Sequence, residues 1–282
     1  MKKLLWPALA LLLLLTACRF VPDASPTPTP ASTPTPVIVP SLEPTSAPES
    51  WRIDGNIIHA GGTVNGYAAS NSLEAIDAAA AAGERFIEID FCLTADGESV
   101  CLHDWNEGYL PGFEKSDFPL TREVFSQQKI YGELTPLTLT ELAAWLEAHP
   151  QVYIITDVKD GDQSTLEEIS ASWPQLRERF IPQIYAETEL ERVRALGFER
   201  VIYTLYRLPW EEKLDTDRIG AFARDNNLAG ITFAWELTEQ EGYVEALLAW
   251  DVPLFTHTLN DPEAIAAQQA MGITGVYTDE IG

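Results

Sequence analysis

Arg85-Phe86-Ile87-Glu88-Ile89-Asp90-Phe91 leads through Cys92-Leu93-Thr94-Ala95-Asp96-Gly97-Glu98 into Ser99-Val100-Cys101-Leu102-His103-Asp104. The first run is apolar on both faces of a strand, as in a buried parallel sheet. Glu88 and Asp90 interrupt it at a spacing of two, so both carboxylates share one face. An inward carboxylate is costly unless it is paired or holds a metal. The gap to the next run is too short for a parallel crossover, which takes a dozen or more residues. Asp96-Gly97 is instead a hairpin turn signal. A turn centred on Ala95–Asp96 predicts Glu88 opposite His103 and Asp90 opposite Cys101, with His103 aimed back at both carboxylates.

Outward from this hairpin, short β-branched runs alternate with Ala- or Glu-rich stretches. Further strands are expected at 56–59, 152–157, 181–185, 201–205, 230–234, 253–257 and 275–278. Helices are expected at 72–82, 138–149, 165–180, 187–196, 217–226, 238–250 and 262–271. Strict alternation implies a parallel sheet. Nine strand segments minus one hairpin arm leave eight, which suits a (β/α)8 TIM barrel, an α/β fold, with a small β-hairpin carrying part of the active site. A doubly wound open sheet is the alternative.

The first fifty residues read as an address. Met1-Lys2-Lys3 precedes an apolar stretch too short for a comfortable span of about 20 residues, so residues 1–17 read as a signal peptide. Leu15-Thr16-Ala17-Cys18 resembles the lipobox of bacterial lipoproteins, which makes Cys18 the lipidated residue. Residues 18–50 carry nine of the nineteen prolines amid Thr, Ser and Ala, and read as an extended linker. The working domain is then 51–282, and the protein is expected to be an exported cell-membrane lipoprotein on the extracytoplasmic face. Its membrane contact is expected through the lipid anchor only, and the head is expected to be a monomer. Asp plus Glu is 43 against 18 Lys plus Arg, a net charge of −25. That balance argues against nucleic acid as a partner, because phosphate-backbone binding needs Lys and Arg clusters.

Within the domain the polar residues fall at strand ends, where barrel enzymes keep their chemistry. His59 ends the first strand, His103-Asp104 the hairpin, Asp157 and Lys159 the next strand, His257 a later one and Asp279 the last. Glu88, Asp90 and Asp157 are hard oxygen donors suited to Ca2+ or Mg2+. The alternative is an ion cluster closed by Lys159. His59 and His103 could serve as general acid and base. Asp104 and Asp279 read as groups that orient neighbours.

At these residues the chain resembles the glycerophosphodiester phosphodiesterase family, within the phospholipase C-like phosphodiesterase barrels. The matching motifs run from His59-Ala60-Gly61 and Ser70-Asn71-Ser72 through Glu88-Ile89-Asp90, Thr94-Ala95-Asp96-Gly97 and His103-Asp104. They continue with Asp157-Val158-Lys159, His257-Thr258-Leu259-Asn260 and Gly275-Val276-Tyr277-Thr278-Asp279. The resemblance implies a TIM barrel and metal-dependent hydrolysis of glycerophosphodiesters to glycerol phosphate and an alcohol. It implies His59 and His103 as the proton-transfer pair, and Glu88, Asp90 and Asp157 as the metal ligands. Lys159 and His257 are read as substrate-binding. The chain departs from the family pattern at Ala60, where Arg is usual and helps hold phosphate, at Ser70, where Glu is usual, and at Asp157, where Glu is usual. Compensation for Ala60 is expected from Lys159, His257 or Arg207, and the sequence does not choose among them.

Two other functions compete. Asp157 with Lys159 two residues on also resembles the sphingomyelinase D branch, which implies phospholipase D-like transfer on lysolipids or sphingolipids. Ala60 and Ser70 favour a non-catalytic binding lipoprotein. A glycoside hydrolase fits poorly, because Glu88 and Asp90 share one strand and a cleaving pair should flank the scissile bond. Cys92 and Cys101 fall on the same face in the expected register, which leaves a disulfide open. Trp105, Tyr131, Tyr206 and Trp235 are either mouth aromatics or core.

Overall fold

The computed structural model describes residues 51–105, 118–158 and 164–282. Chain contacts divide the protein into Met1–Glu49 and Ser50–Gly282. The second unit holds every described element. Cys18 and Lys159 lie outside the described residues.

The strands are β1 Ile57–Ile58, β2 Phe86–Leu93, β3 Ser99–Cys101, β4 Tyr153–Val158, β5 Phe180–Ile184, β6 Ile202–Thr204, β7 Gly230–Ala234, β8 Leu254–His257 and β9 Gly275–Thr278. Eight of them pair in parallel in the cyclic order β1-β2-β4-β5-β6-β7-β8-β9, and β1 closes the ring by pairing with both β2 and β9. β3 adds antiparallel to the upper end of β2. The fold is a closed eight-stranded TIM barrel with a hairpin arm.

The helices are α1 Leu73–Ala82, α2 Arg122–Ser126, α3 Leu139–Ala148, α4 Ser164–Ser172, α5 Leu190–Ala195, α6 Trp210–Lys213, α7 Thr216–Asp225, α8 Tyr243–Leu248 and α9 Pro262–Ala270. None is long and apolar enough to cross a membrane among the described residues. Their ends follow local chemistry. Ser72 caps α1, accepting from the Ala75 amide, and Gly83 ends it at φ 93. Thr138 and Glu141 form a capping box on α3. Three expected helices are shorter than their sequence pattern, and of these the 187–196 stretch opens as a 3-10 turn over Glu187–Glu189 before α5. The 165–180 stretch breaks at Trp173, because the residue before Pro174 is pushed out of the α region, and continues as a 3-10 turn. The 238–250 stretch breaks at Gly242, φ 74, before α8.

Strand parity separates two cores. Outward residues such as Ile87, Ile89, Phe91, Ile154, Phe233 and Leu254 pack beneath the helices in the main cluster. Inward residues Ile57, Phe86, Ile155, Ile181, Ile202 and Phe255 fill the barrel's lower interior. Glu88, Asp90, Asp157 and His257 continue the inward rows toward the C-terminal end.

The hairpin forms, but its register differs by one residue from the sequence expectation. Phe91 pairs with Cys101, Cys92 with Val100 and Leu93 with Ser99. Asp90 therefore lies opposite Leu102, whose amide donates to the Asp90 carbonyl at 3.0 Å. The cause is the loop. Thr94 N–H bonds to the Glu98 carbonyl at 2.9 Å, leaving three loop residues, with Gly97 at φ 82 in the left-handed position. The slip puts Cys92 and Cys101 on opposite faces of the hairpin, so they cannot be bridged, and both are thiols.

Candidate active site

Register alone assembles half of the site. β2 and β4 pair Asp90 with Asp157, and Glu88 sits one pleat below. Glu88, Asp90 and Asp157 each offer a carboxylate oxygen within 4.8 Å of the others. Glu88 and Asp90 are each only 2% exposed. At that separation and an effective dielectric near 20, each pair of charges repels by at least about 3 kcal/mol. A divalent cation among them removes this cost, and an all-oxygen donor set fits Ca2+ or Mg2+.

Neutral donors hold each carboxylate in place. The Ala60 amide donates to Glu88 Oε2 at 2.8 Å. Asn71 acts twice on Asp90: its Nδ2 donates to Oδ2 at 2.9 Å, and its Oδ1 accepts from the Asp90 amide at 3.0 Å. The Tyr185 hydroxyl donates to Asp157 Oδ1. Burial and the adjacent Asp157 charge push the Tyr185 phenol well above its ordinary value. The amide of Ala60 reaches Glu88 because the chain reverses there, with φ 46 at Ala60, 84 at Gly61 and 90 at Gly62. A Cβ at Gly62 would lie 2.7 Å from Ile281 and 2.8 Å from Ile58, so the reversal is tightly packed.

The imidazoles come from both sides of the carboxylates. β1 pairs Ile58 with Thr278, so His59 and Asp279 leave the sheet side by side. His59 Nδ1 lies 2.8 Å from Asp279 Oδ1, and Asn260 Nδ2 donates to Asp279 Oδ2 at 2.7 Å. Burial opposes charge on His59, but the Asp279 hydrogen bond and the fields of Glu88 and Asp90 outweigh it, raising its pKa to about 9. Burial would likewise raise Asp279, but the bonds from His59 and Asn260 hold it below the ordinary carboxylate value. His103 follows β3, with Nδ1 3.0 Å from Asp104 Oδ2. His257 ends β8. Burial, then the charge of His59, depress its pKa to about 4, and its Nε2 is buried with no hydrogen-bond partner.

A cavity of about 350 Å3 joins these groups. His59, Glu88, Asp90, His103, Asp157 and His257 all line it. The structure thus gathers every described residue singled out from sequence for catalysis, metal or substrate. His103 reaches the cavity despite the register slip, because it lies beyond the paired segment, where the chain has left the strand. Of the four aromatics weighed for the mouth, only Tyr206 lines the cavity. Trp105 donates to the Leu93 carbonyl and packs against Phe118 and Phe125, and Tyr131 stacks on Tyr67.

Sequence reading missed Tyr185, Gln183, Thr204, Thr232 and Tyr277, which also line the cavity. Their signal was parity: each lies on the inward row near a strand's C-terminal end. It also gave no role to Asn71, whose link to Asp90 depends on the loop before α1 reaching β2.

Residues 60–282 match the Glycerophosphoryl diester phosphodiesterase family. No curated protein matches the chain. Similar solved structures include a glycerophosphodiester phosphodiesterase from Thermotoga maritima, with 21% identity, TM-score 0.60, and coverage of 83% of this chain and 97% of that one. Another is a phosphodiesterase from Oleispira antarctica in complex with the product sn-glycerol-3-phosphate, with 19% identity, TM-score 0.60, and 80% and 93% coverage. A glycerophosphodiester phosphodiesterase from Agrobacterium tumefaciens shows 15% identity, TM-score 0.62, and 81% and 97% coverage.

Proposed function

Because the chain belongs to the glycerophosphoryl diester phosphodiesterase family, we propose that it hydrolyses glycerophosphodiesters to glycerol phosphate and an alcohol, with a divalent cation held by Glu88, Asp90 and Asp157. The observation that carries this reading is the convergence of three carboxylates with His59 and His103 on one cavity. When bound, the cation would supply neutralising charge for the phosphoryl oxygens.

The chain's own residues do the rest. Asp279 fixes His59 through Nδ1 and leaves Nε2 for proton exchange, and Asp104 fixes His103 through its Nδ1. One imidazole takes the proton of the attacking oxygen, and the other returns a proton to the departing alkoxide. His257 stays neutral at pH 7, and its unpartnered Nε2 is available to a substrate oxygen. Ala60 contributes only its amide here, to Glu88, so phosphate holding falls to the other groups. Lys159 follows β4 directly and is the cation nearest in sequence to Asp157. We place the enzyme outside the cytoplasm on a lipid anchor at Cys18, a reading that rests on residues 1–50 alone.

The test is release of glycerol 3-phosphate from glycerophosphodiesters by the purified protein, with Ca2+ or Mg2+ and again with chelator. Chelator-sensitive release supports the reading. Metal-independent release removes the cation from it. Release of free headgroup alcohol with a cyclised phosphate would instead favour the phosphotransferase.

A further inference from the structure

The carboxylates line the β2 and β4 side of the mouth. By strand order β7 and β8 lie across the barrel from them. The segment after β6 brings Tyr206 and Arg207 to the rim, both exposed, with Tyr206 leaning toward His257 at the end of β8 and Arg207 toward Tyr185 beyond β5. The Arg207 guanidinium lies over the Tyr185 ring, 3.7 Å from its centroid. Tyr185 is in turn bonded to Asp157, so Arg207 is docked on a ring anchored to the carboxylate cluster. Beneath it the wall presents neutral hydrogen-bonding groups, Gln183 and Thr204.

This composition discriminates between alcohols. A quaternary ammonium is bound by open aromatic faces. Here a guanidinium occupies a face of Tyr185 and sets a like charge next to the cavity's remaining exposed ring, Tyr206. A polyol, by contrast, offers oxygens to guanidinium N–H groups and to Gln and Thr side chains. If the phosphate rests against Glu88, Asp90 and Asp157, as the proposed hydrolysis requires, one arm of the diester passes Tyr185 and Arg207 at the rim, and we take that arm as the leaving alcohol. We propose that Arg207 is a specificity-determining residue that selects diesters of polyol alcohols over those of quaternary ammonium alcohols.

The test compares kcat/KM for glycerophosphoglycerol and glycerophosphocholine in wild type, Arg207→Gln and Arg207→Lys. Wild type favours glycerophosphoglycerol. Because Arg207 is exposed, Arg207→Gln shrinks that ratio by about fivefold, lowering the polyol rate and raising the choline rate. Arg207→Lys keeps the discrimination against choline. A ratio indifferent to position 207, an equal loss on both diesters, or a wild-type preference for choline overturns the assignment of Arg207 alone. Wild-type protein that cleaves neither diester overturns the hydrolysis reading beneath it as well.

Discussion

At the lower end of the barrel Phe86, Ile155, Ile181, Ile202 and Phe255 meet as a closed apolar plug. Two to four residues further along the same strands, roughly 7–13 Å higher, the inward rows carry Glu88, Asp90, Asp157, Gln183, Thr204 and His257. One set of strands thus builds two chemically opposite layers. The lower layer satisfies itself by packing. The upper layer concentrates like charges that no amount of packing can satisfy, and they are held apart and oriented by fixed neutral donors from Ala60, Asn71 and Tyr185. The contrast teaches that stability and chemistry are separable by height along a strand.

Substitutions at the two levels should therefore fail differently. The largest effect belongs to the upper layer: His59→Ala or His103→Ala should cut kcat by about 10^2–10^4-fold, measured on protein that urea titration shows to be fully folded under the assay conditions. Near-normal turnover in either variant would remove the proton-transfer pair. In the plug, Phe255→Ala should cost about 3–5 kcal/mol of unfolding free energy, read by urea titration, while the folded fraction keeps its kcat. A large kcat loss there at full folding would show that the layers are coupled.

Asn71→Ala should sharpen the comparison, since both side-chain hydrogen bonds of Asn71 go to Asp90, while the strain of Ala at its φ of 50 is read separately by urea titration. The cation concentration for half-maximal activity should rise about 10–100-fold, with turnover recovering at saturating cation. No shift would show that the Asn71 contact is structural alone.

The smallest effect is on pH. His257 has a folded-state pKa of about 4, below its ordinary value of 6.5. The unfolded chain therefore binds the proton first, so the stability this residue contributes is present above pH 6.5 and lost as pH falls toward 4. Discounted for partial exposure, the loss should be about 1–2 kcal/mol, and His257→Gln should flatten that part of the urea-midpoint profile. An identical profile in the variant would show that His257 does not contribute.

Much of this was legible without coordinates. The polar interruptions Glu88 and Asp90 mark the inward face of β2, and the short gap around Asp96-Gly97 reduces nine segments to eight barrel strands. The hairpin register was not legible, because one left-handed residue at Gly97 sets the loop length and shifts every pair by one. The broken helices were half legible: Pro174 is a visible stop, whereas Gly242 shows its role only through its positive φ.

Local pattern is written in neighbouring residues, so the sequence by itself determined the strand alternation, the inward carboxylates and the placing of histidines at strand ends. Only the tertiary structure decided which distant groups meet. Asp279 lies 220 positions from His59 and becomes its partner because β1 closes the ring against β9. Tyr185 reaches Asp157 because it follows β5, which pairs with β4. Such contacts depend on barrel closure and stagger, a property of all eight strands together and of no segment alone.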